Sequence, residues 1–178
     1  EQSDRLSRMV RQLLTVSRIE SGVLRPRLEV VALATRVRRA WEALGTQDIE
    51  IDLRDEAGGW LAVADPDQLD QVLWAVLDNA IKYGAGQPVV VAIGRDDAAE
   101  YVSVTITDAG PGVPEADRER LFGRFERSMG PGHPAGTGLG LYVSRALCRA
   151  MGGELTLDTA EGGTPGGHVS GAAFTISL

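Results

Sequence analysis

Leu69, Val72, Leu73, Val76, Leu77, Ala80 and Ile81 recur at spacings of three and four, which winds them onto one stripe of an α-helix facing a core. At ~100° per residue, Ala75, Asn79, Lys82 and Tyr83 fall together along one flank of that stripe, where a helix meets both core and solvent and can line a cleft. The start of this helix is written in Asp65-Pro66-Asp67-Gln68: Asp65 suits the N-cap, Pro66 the first helical position, and Gln68 is placed to close a capping box.

The same periodicity predicts the neighbouring elements. Residues Asp4 to Glu20 read as a helix with Leu6, Met9, Val10, Leu13, Val16 and Ile19 on one face, ended by Gly22 and Pro26. Its long apolar stripe has no obvious partner of its own, which points to a helical hairpin or a dimer. After an extended stretch at Leu28 to Val30, Leu33, Val37, Ala40, Trp41 and Leu44 form a second amphipathic helix closed by Gly45. Ile49, Ile51 and Leu53 alternate with Glu50, Asp52 and Arg54 as in a half-buried strand, and Gly58-Gly59 turns toward a second strand at Trp60 to Ala64, predicting a hairpin.

Strands follow at Pro88 to Gly94 and Tyr101 to Thr107, the second running into Asp108-Ala109-Gly110-Pro111-Gly112. From Val113 to Thr137 the chain is rich in glycine, proline and charge, with one short helical candidate at Glu115 to Phe122; loops this long are usually functional, and this one reads as a lid whose segment Ser128 to Ala135 should be poorly ordered. Leu139, Val143, Ala146, Leu147 and Ala150 make a third covering helix, and strands near Glu154 to Asp158 and Ala173 to Leu178 complete the fold. The prediction is an α/β (α+β) two-layer sandwich: a mixed, mainly antiparallel sheet covered on one face by three helices and preceded by one long helix.

Composition narrows the options. With 178 residues and 43% hydrophobic content the chain can bury one full core. A formal net charge of -7 argues against a sequence-independent nucleic-acid binder. No apolar run approaches the ~20 residues that span a bilayer, and nothing at the start resembles a signal peptide. Cys148 is the only cysteine, so there is no internal disulfide or thiolate metal cluster, and Lys82 is the only lysine.

The polar residues left over suit a nucleotide and its metal. The Asn79 amide oxygen can ligate a hard cation, the Lys82 ammonium suits phosphate oxygens, and the Tyr83 ring can stack. An ionised Asp108 can accept from the adenine amino group but would repel the guanine carbonyl oxygen, favouring ATP over GTP, although taken alone the segment reads first as a polar turn after a strand. Gly110 and Gly112 let backbone approach a flat base and permit positive φ. Gly136, Gly138 and Gly140 precede or open the third helix, whose N-terminal amides and dipole favour phosphate. No Gly-Lys-Ser/Thr exists for a P-loop, and Leu141 stands where a dinucleotide fingerprint needs glycine. Asp117, Arg118, Glu119, Arg120 and Arg124 read as a solvated helical face.

In order, Asn79-Ala80-Ile81-Lys82-Tyr83, Asp108-Ala109-Gly110-Pro111-Gly112, Phe122-Gly123-Arg124-Phe125-Glu126-Arg127 and Gly136-Thr137-Gly138-Leu139-Gly140-Leu141 resemble the N, G1, F and G2 boxes of the ATP-binding catalytic domain of sensor histidine kinases. That domain belongs to the superfamily shared with gyrase, a heat-shock chaperone and the mismatch-repair ATPases. The segment from Arg5 to Gly22 resembles the second helix of the kinase's dimerisation and phosphoacceptor domain. The resemblance implies a Bergerat-type ATP-binding fold at 28–178 with its lid at 113–137, after a truncated helical domain at 1–24. It implies Mg²⁺ on Asn79, phosphate contacts from Lys82 and Arg127, Tyr83 against the nucleotide, and Phe122 and Phe125 anchoring the lid. Nucleotide contacts also fall on Asp108, Gly110, Gly112, Gly136, Thr137, Gly138, Leu139 and Gly140.

Such a kinase moves the γ-phosphoryl group of ATP to a histidine followed closely by an acidic residue, and this chain has none. His133 precedes Pro134-Ala135 and His168 precedes Val169-Ser170, so both read as surface residues and the chain should not label itself. Glu1 in place of an initiator methionine fits a piece of a larger sensor protein. The implied partners are a phosphoacceptor helix of its own or a dimer-mate chain and a cognate response regulator, with a homodimeric, membrane-anchored parent, a cytoplasmic location for this part, and no nucleic acid. The competing readings are a gyrase-type conformational switch, an anti-sigma-type kinase and a degenerate nucleotide-binding module. Gyrase-type hydrolases place a glutamate four residues before the metal-binding asparagine, where this chain has Ala75, which cannot act as a base. Histidine kinases usually carry asparagine there.

Overall fold

The computed structural model describes residues 2–46, 48–55, 58–96, 101–126, 137–158 and 171–178. Helix α1 (Gln2–Glu20) leads through a left-handed Gly22 to strand β1 (Glu29–Ala32) and helix α2 (Leu33–Leu44), which stops at Gly45 with φ 65°. Strands β2 (Ile51–Asp55) and β3 (Leu61–Ala64) come next, followed by helix α3 (Pro66–Tyr83) and strands β4 (Val89–Asp96) and β5 (Tyr101–Thr107). The short helix α4 (Glu115–Arg118), helix α5 (Gly140–Ala150) and strands β6 (Glu154–Asp158) and β7 (Ala173–Ser177) follow. Among the described residues no helix is long and apolar enough to cross a membrane.

The main sheet has the order β2-β4-β5-β7-β6, antiparallel except for the parallel pair β2·β4, which sets Ile51 opposite Val89. Period-two alternation decides its faces. Val89, Val91, Ile93, Val104, Ile106, Leu155 and Ile176 are buried inward, while Thr105 and Thr175 pair hydroxyls across the strands on the other side. Helices α2, α3 and α5 pack on the inward face, so the predicted two-layer architecture is present.

The predicted hairpin is not. β2 joins the main sheet, and β3 pairs antiparallel with β1 in a separate two-stranded sheet, with Glu29 opposite Ala64. The helix α4 is also shorter than the predicted Glu115 to Phe122.

α3 is the central post of the core. Leu69, Val72, Leu73, Val76 and Leu77 are all 0% exposed. Fully burying each such side chain contributes roughly 1.5–3 kcal/mol. The Asp65 carboxylate caps the helix, accepting from the backbone N–H of Asp67 at 3.0 Å and of Gln68 at 3.1 Å. The capping box closes differently from expectation, because the Gln68 side chain donates to the Asp65 carboxylate at 3.2 Å rather than reaching the Asp65 backbone.

Candidate functional site

α3, the loop after β5 and the first turn of α5 surround a cavity of about 430 Å³. Asp108, at the end of β5, lines it and is 5% exposed. Its Oδ1 accepts from the backbone N–H of Gly110 at 2.8 Å and of Ala172 at 3.3 Å, which leaves Oδ2 for a ligand's N–H. Burial pushes the carboxyl's pKa above its ordinary value of 3.8, and the two backbone donors offset only part of that rise.

Gly110 itself does not line the cavity. A Cβ there would stand 2.2 Å from the Tyr83 carbonyl oxygen, so the last turn of α3 and the Asp108 loop interlock only through glycine. Gly112 does line the cavity, with φ 74°.

Ala75, Asn79, Lys82 and Tyr83 line one wall together, as their spacing on α3 predicts, and Trp74 and Asp78 join them. The Lys82 ammonium forms an ion pair with Asp78 one turn earlier, so a phosphate must compete with that carboxylate. Thr137, Gly138 and Gly140 line the wall at the start of α5. The Leu139 side chain is 2% exposed and belongs to the core, which leaves its backbone to the turn before α5.

Phe122 is half-buried against the core, with the Arg145 guanidinium 4.6 Å from its ring centroid. Phe125, the other residue expected at the lid, is 66% exposed, at a backbone φ of 58°. Arg127 and Gly136 lie outside the described residues, as do His133, His168 and the segment from Ser128 to Ala135.

Sequence reasoning missed several residues of the wall, among them Gln12, Trp74, Asp78, Leu121, Glu126 and Phe174. Trp74 and Asp78 each precede a residue of the α3 flank, so a wider flank finds them. Gln12 reaches the cavity from α1, and no local signal announces it.

Among the described residues no group of three or more His, Cys, Asp or Glu side chains is placed to hold a metal. Asn79 lines the cavity, and its amide oxygen is a hard donor of the kind Mg²⁺ takes alongside phosphate and water.

The family described as histidine kinase-, DNA gyrase B- and HSP90-like ATPase matches residues 64–178. The chain belongs to this ATPase family. Within the family its relatives are sensor kinases. The sensor protein KdpD of Mycobacterium tuberculosis (strain CDC 1551 / Oshkosh) is 34% identical over 173 residues, 92% of this chain and 19% of that protein. The signal transduction histidine-protein kinase AfsQ2 of Streptomyces coelicolor is 34% identical over 98% of this chain and 30% of that protein. The chain thus spans a third or less of these curated relatives.

Among solved structures, the mycobacterial sensor histidine kinase MprB superimposes with a TM-score of 0.71 at 32% identity, over 85% of this chain and 96% of that one. Full-length ShkA in complex with AMPPNP superimposes at 0.80 with 26% identity, over 100% of this chain and 36% of that one. The ATPase-family module here is of the sensor histidine kinase type, an ATP-binding domain.

Proposed function

We propose that the chain is the ATP-binding catalytic part of a protein-histidine kinase, binding Mg²⁺-ATP and directing its γ-phosphoryl group to a histidine on another helix. The observation that carries this reading is Asp108, a buried carboxylate held on one oxygen by two backbone amides in the wall of a cavity that also holds the chain's only lysine. Such an acceptor matches the adenine amino group. Lys82 exchanges Asp78 for phosphate oxygens, Arg127 joins it from the lid, and the unpaired amides of the first turn of α5 take further phosphate oxygens. Asn79 holds the Mg²⁺, which when bound neutralises phosphate charge during transfer.

A gyrase-type hydrolase is the weaker reading. Ala75 lines the wall one turn before Asn79 and offers no carboxylate, while Asp78 is engaged by Lys82 and Glu126 by Arg120 at 2.8 Å.

The α1 segment is proposed as the second helix of the dimerisation and phosphoacceptor domain. Val10, Leu13 and Leu14 remain 47%, 47% and 55% exposed along it, a stripe suited to an acceptor helix and a dimer mate. A response regulator is then the onward acceptor, and the parent a homodimeric sensor with this part in the cytoplasm.

Calorimetric titration with ATP, ADP and GTP, with and without Mg²⁺, tests the reading. ATP and ADP should bind in preference to GTP, and Asp108→Asn should weaken ATP roughly tenfold to a hundredfold, the loss of one hydrogen bond to a charged group. An unchanged adenine preference in Asp108→Asn defeats the assignment. With labelled ATP the chain should acquire no phosphohistidine, whereas a protein carrying both helices should; stable label on His133 or His168 contradicts this.

A further inference from the structure

α1 lies against α5, with Val16 packed on the core of the ATPase module. Glu20, in its last turn, forms an ion pair with Arg124, whose guanidinium also sits 5.3 Å from the Tyr142 ring centroid on α5. About two turns earlier on the same helix, the Gln12 side chain accepts a hydrogen bond from the Thr137 hydroxyl at 3.1 Å through Oε1. That bond orients the amide. Its Nε2 stands 4.0 Å from the position a Cβ on Gly140 would take, over the first turn of α5, and Gln12 lines the same cavity as Asp108, Asn79 and Lys82.

The chemistry at this spot is one-sided. The first turn of a helix presents backbone N–H groups without intrahelical partners and carries the positive end of the dipole. Here one of the nearby amides, that of Leu139, is satisfied by the Thr137 oxygen at 3.3 Å. The Gln12 amide brings two more N–H donors to the same place, and it reaches there from an element 125 residues away in sequence. A cluster of donors in a cavity wall calls for a ligand with several acceptor oxygens.

We infer that Gln12 is a nucleotide-binding residue supplied by α1. Its amide donates to the phosphate chain of ATP at the N-terminus of α5, so the phosphate site is complete only while α1 is docked. The inference rests on the ATP reading and extends it. Because linkage is reciprocal, phosphate occupancy tightens the docking of α1 by the same factor that docking tightens phosphate binding. The pair Glu20–Arg124 is the tether at the other end of the contact and touches no ligand.

The test uses the intact chain and three ligands, adenosine, ADP and a non-hydrolysable ATP analogue, in calorimetry with Mg²⁺. Gln12→Ala should weaken the ATP analogue about tenfold and leave adenosine within about twofold. Gln12→Glu keeps the size of the side chain and its acceptor for Thr137 but sets a carboxylate against phosphate, so it should weaken the analogue more than alanine does. Glu20→Gln should shift the analogue's affinity in the same direction by a smaller factor. If Gln12→Ala moves all three ligands alike or none of them, or if Gln12→Glu binds the analogue as well as the unaltered chain, Gln12 is wall packing and the inference is overturned. Failure of the unaltered chain to bind any of the three overturns the ATP reading itself, and is recognisable without any variant.

Discussion

Asp108 shows what a site costs its fold. Burial raises its pKa above 3.8, so the ionised carboxylate is less favourable in the folded chain than in the unfolded one. The folded chain binds the proton more tightly, and stability due to this group therefore falls as pH rises from about 3.8 through the folded value. Asp108→Asn keeps an Oδ1 acceptor for Gly110 and Ala172 and removes that penalty. The variant should be at least as stable as the unaltered chain at neutral pH, with its advantage vanishing on acidification below 3.8, while its ATP affinity drops. Denaturant midpoints across pH check this; a variant less stable at pH 7 than at pH 4, relative to the unaltered chain, contradicts it.

Ala75 carries a second prediction at the same scale. Its methyl group lines the wall beside Asn79, where an asparagine can hold a metal-bound water or orient the terminal phosphate. In a protein that includes the acceptor helix, Ala75→Asn should speed phosphohistidine formation about ten- to hundredfold at saturating Mg²⁺-ATP, with little change in affinity. A change under about twofold marks Ala75 as a tolerated substitution. The residues legible in the sequence were those whose type and local spacing carried the signal, Asn79, Lys82, Tyr83 and Asp108. Gln12 was illegible because its contact depends on how α1 docks, and so was the interlock of Gly110 with the Tyr83 backbone, which joins segments distant in sequence.

At the scale of elements, α3 depends on one carboxylate. Asp65 is 7% exposed, and besides capping the helix it accepts from the Arg27 backbone N–H at 2.7 Å. It thereby ties the segment after α1 to the post that carries Asn79 and Lys82. Losing an N-cap costs about 0.5–2 kcal/mol, and the additional bond to Arg27 places this cap at the upper end. Asp65→Ala should lower unfolding stability by about 2 kcal/mol or more, and Asp65→Asn, which keeps one acceptor, by less. A loss under about 0.5 kcal/mol by chemical denaturation means the cap is dispensable. The helices were readable because apolar spacing and caps are local. Strand partners were not: alternation in Ile49 to Leu53 shows which face is buried, yet the neighbour of β2 is β4, on the far side of α3 in sequence.

For the whole molecule, the layers followed from counting amphipathic helices and alternating strands, whereas the sheet order and the separate β1–β3 pair come from contacts between segments distant in sequence. Cys148 reports on that assembly. It is 0% exposed, and burial, with the Glu154 charge adding to it, pushes the thiol's pKa up to about 12. Alkylation at pH 8 should therefore be slow in the folded chain and should track global unfolding as denaturant is added. Fast labelling without denaturant would show the α5 packing to be loose.

The position of β7 has a consequence for biosynthesis. Among the described strands it comes last in sequence, yet it lies inside the sheet between β5 and β6. Until Ala173–Ser177 has left the ribosome, β6 has no neighbour, β5 offers an open edge, and the Ala172 amide cannot reach Asp108. The nucleotide pocket is thus incomplete during translation until β7 has been made, after every other strand and helix that lines it. Stalled chains that expose everything up to residue 172 but not β7 should remain protease-sensitive and fail to be retained on immobilised ATP, and both properties should reverse together when translation resumes.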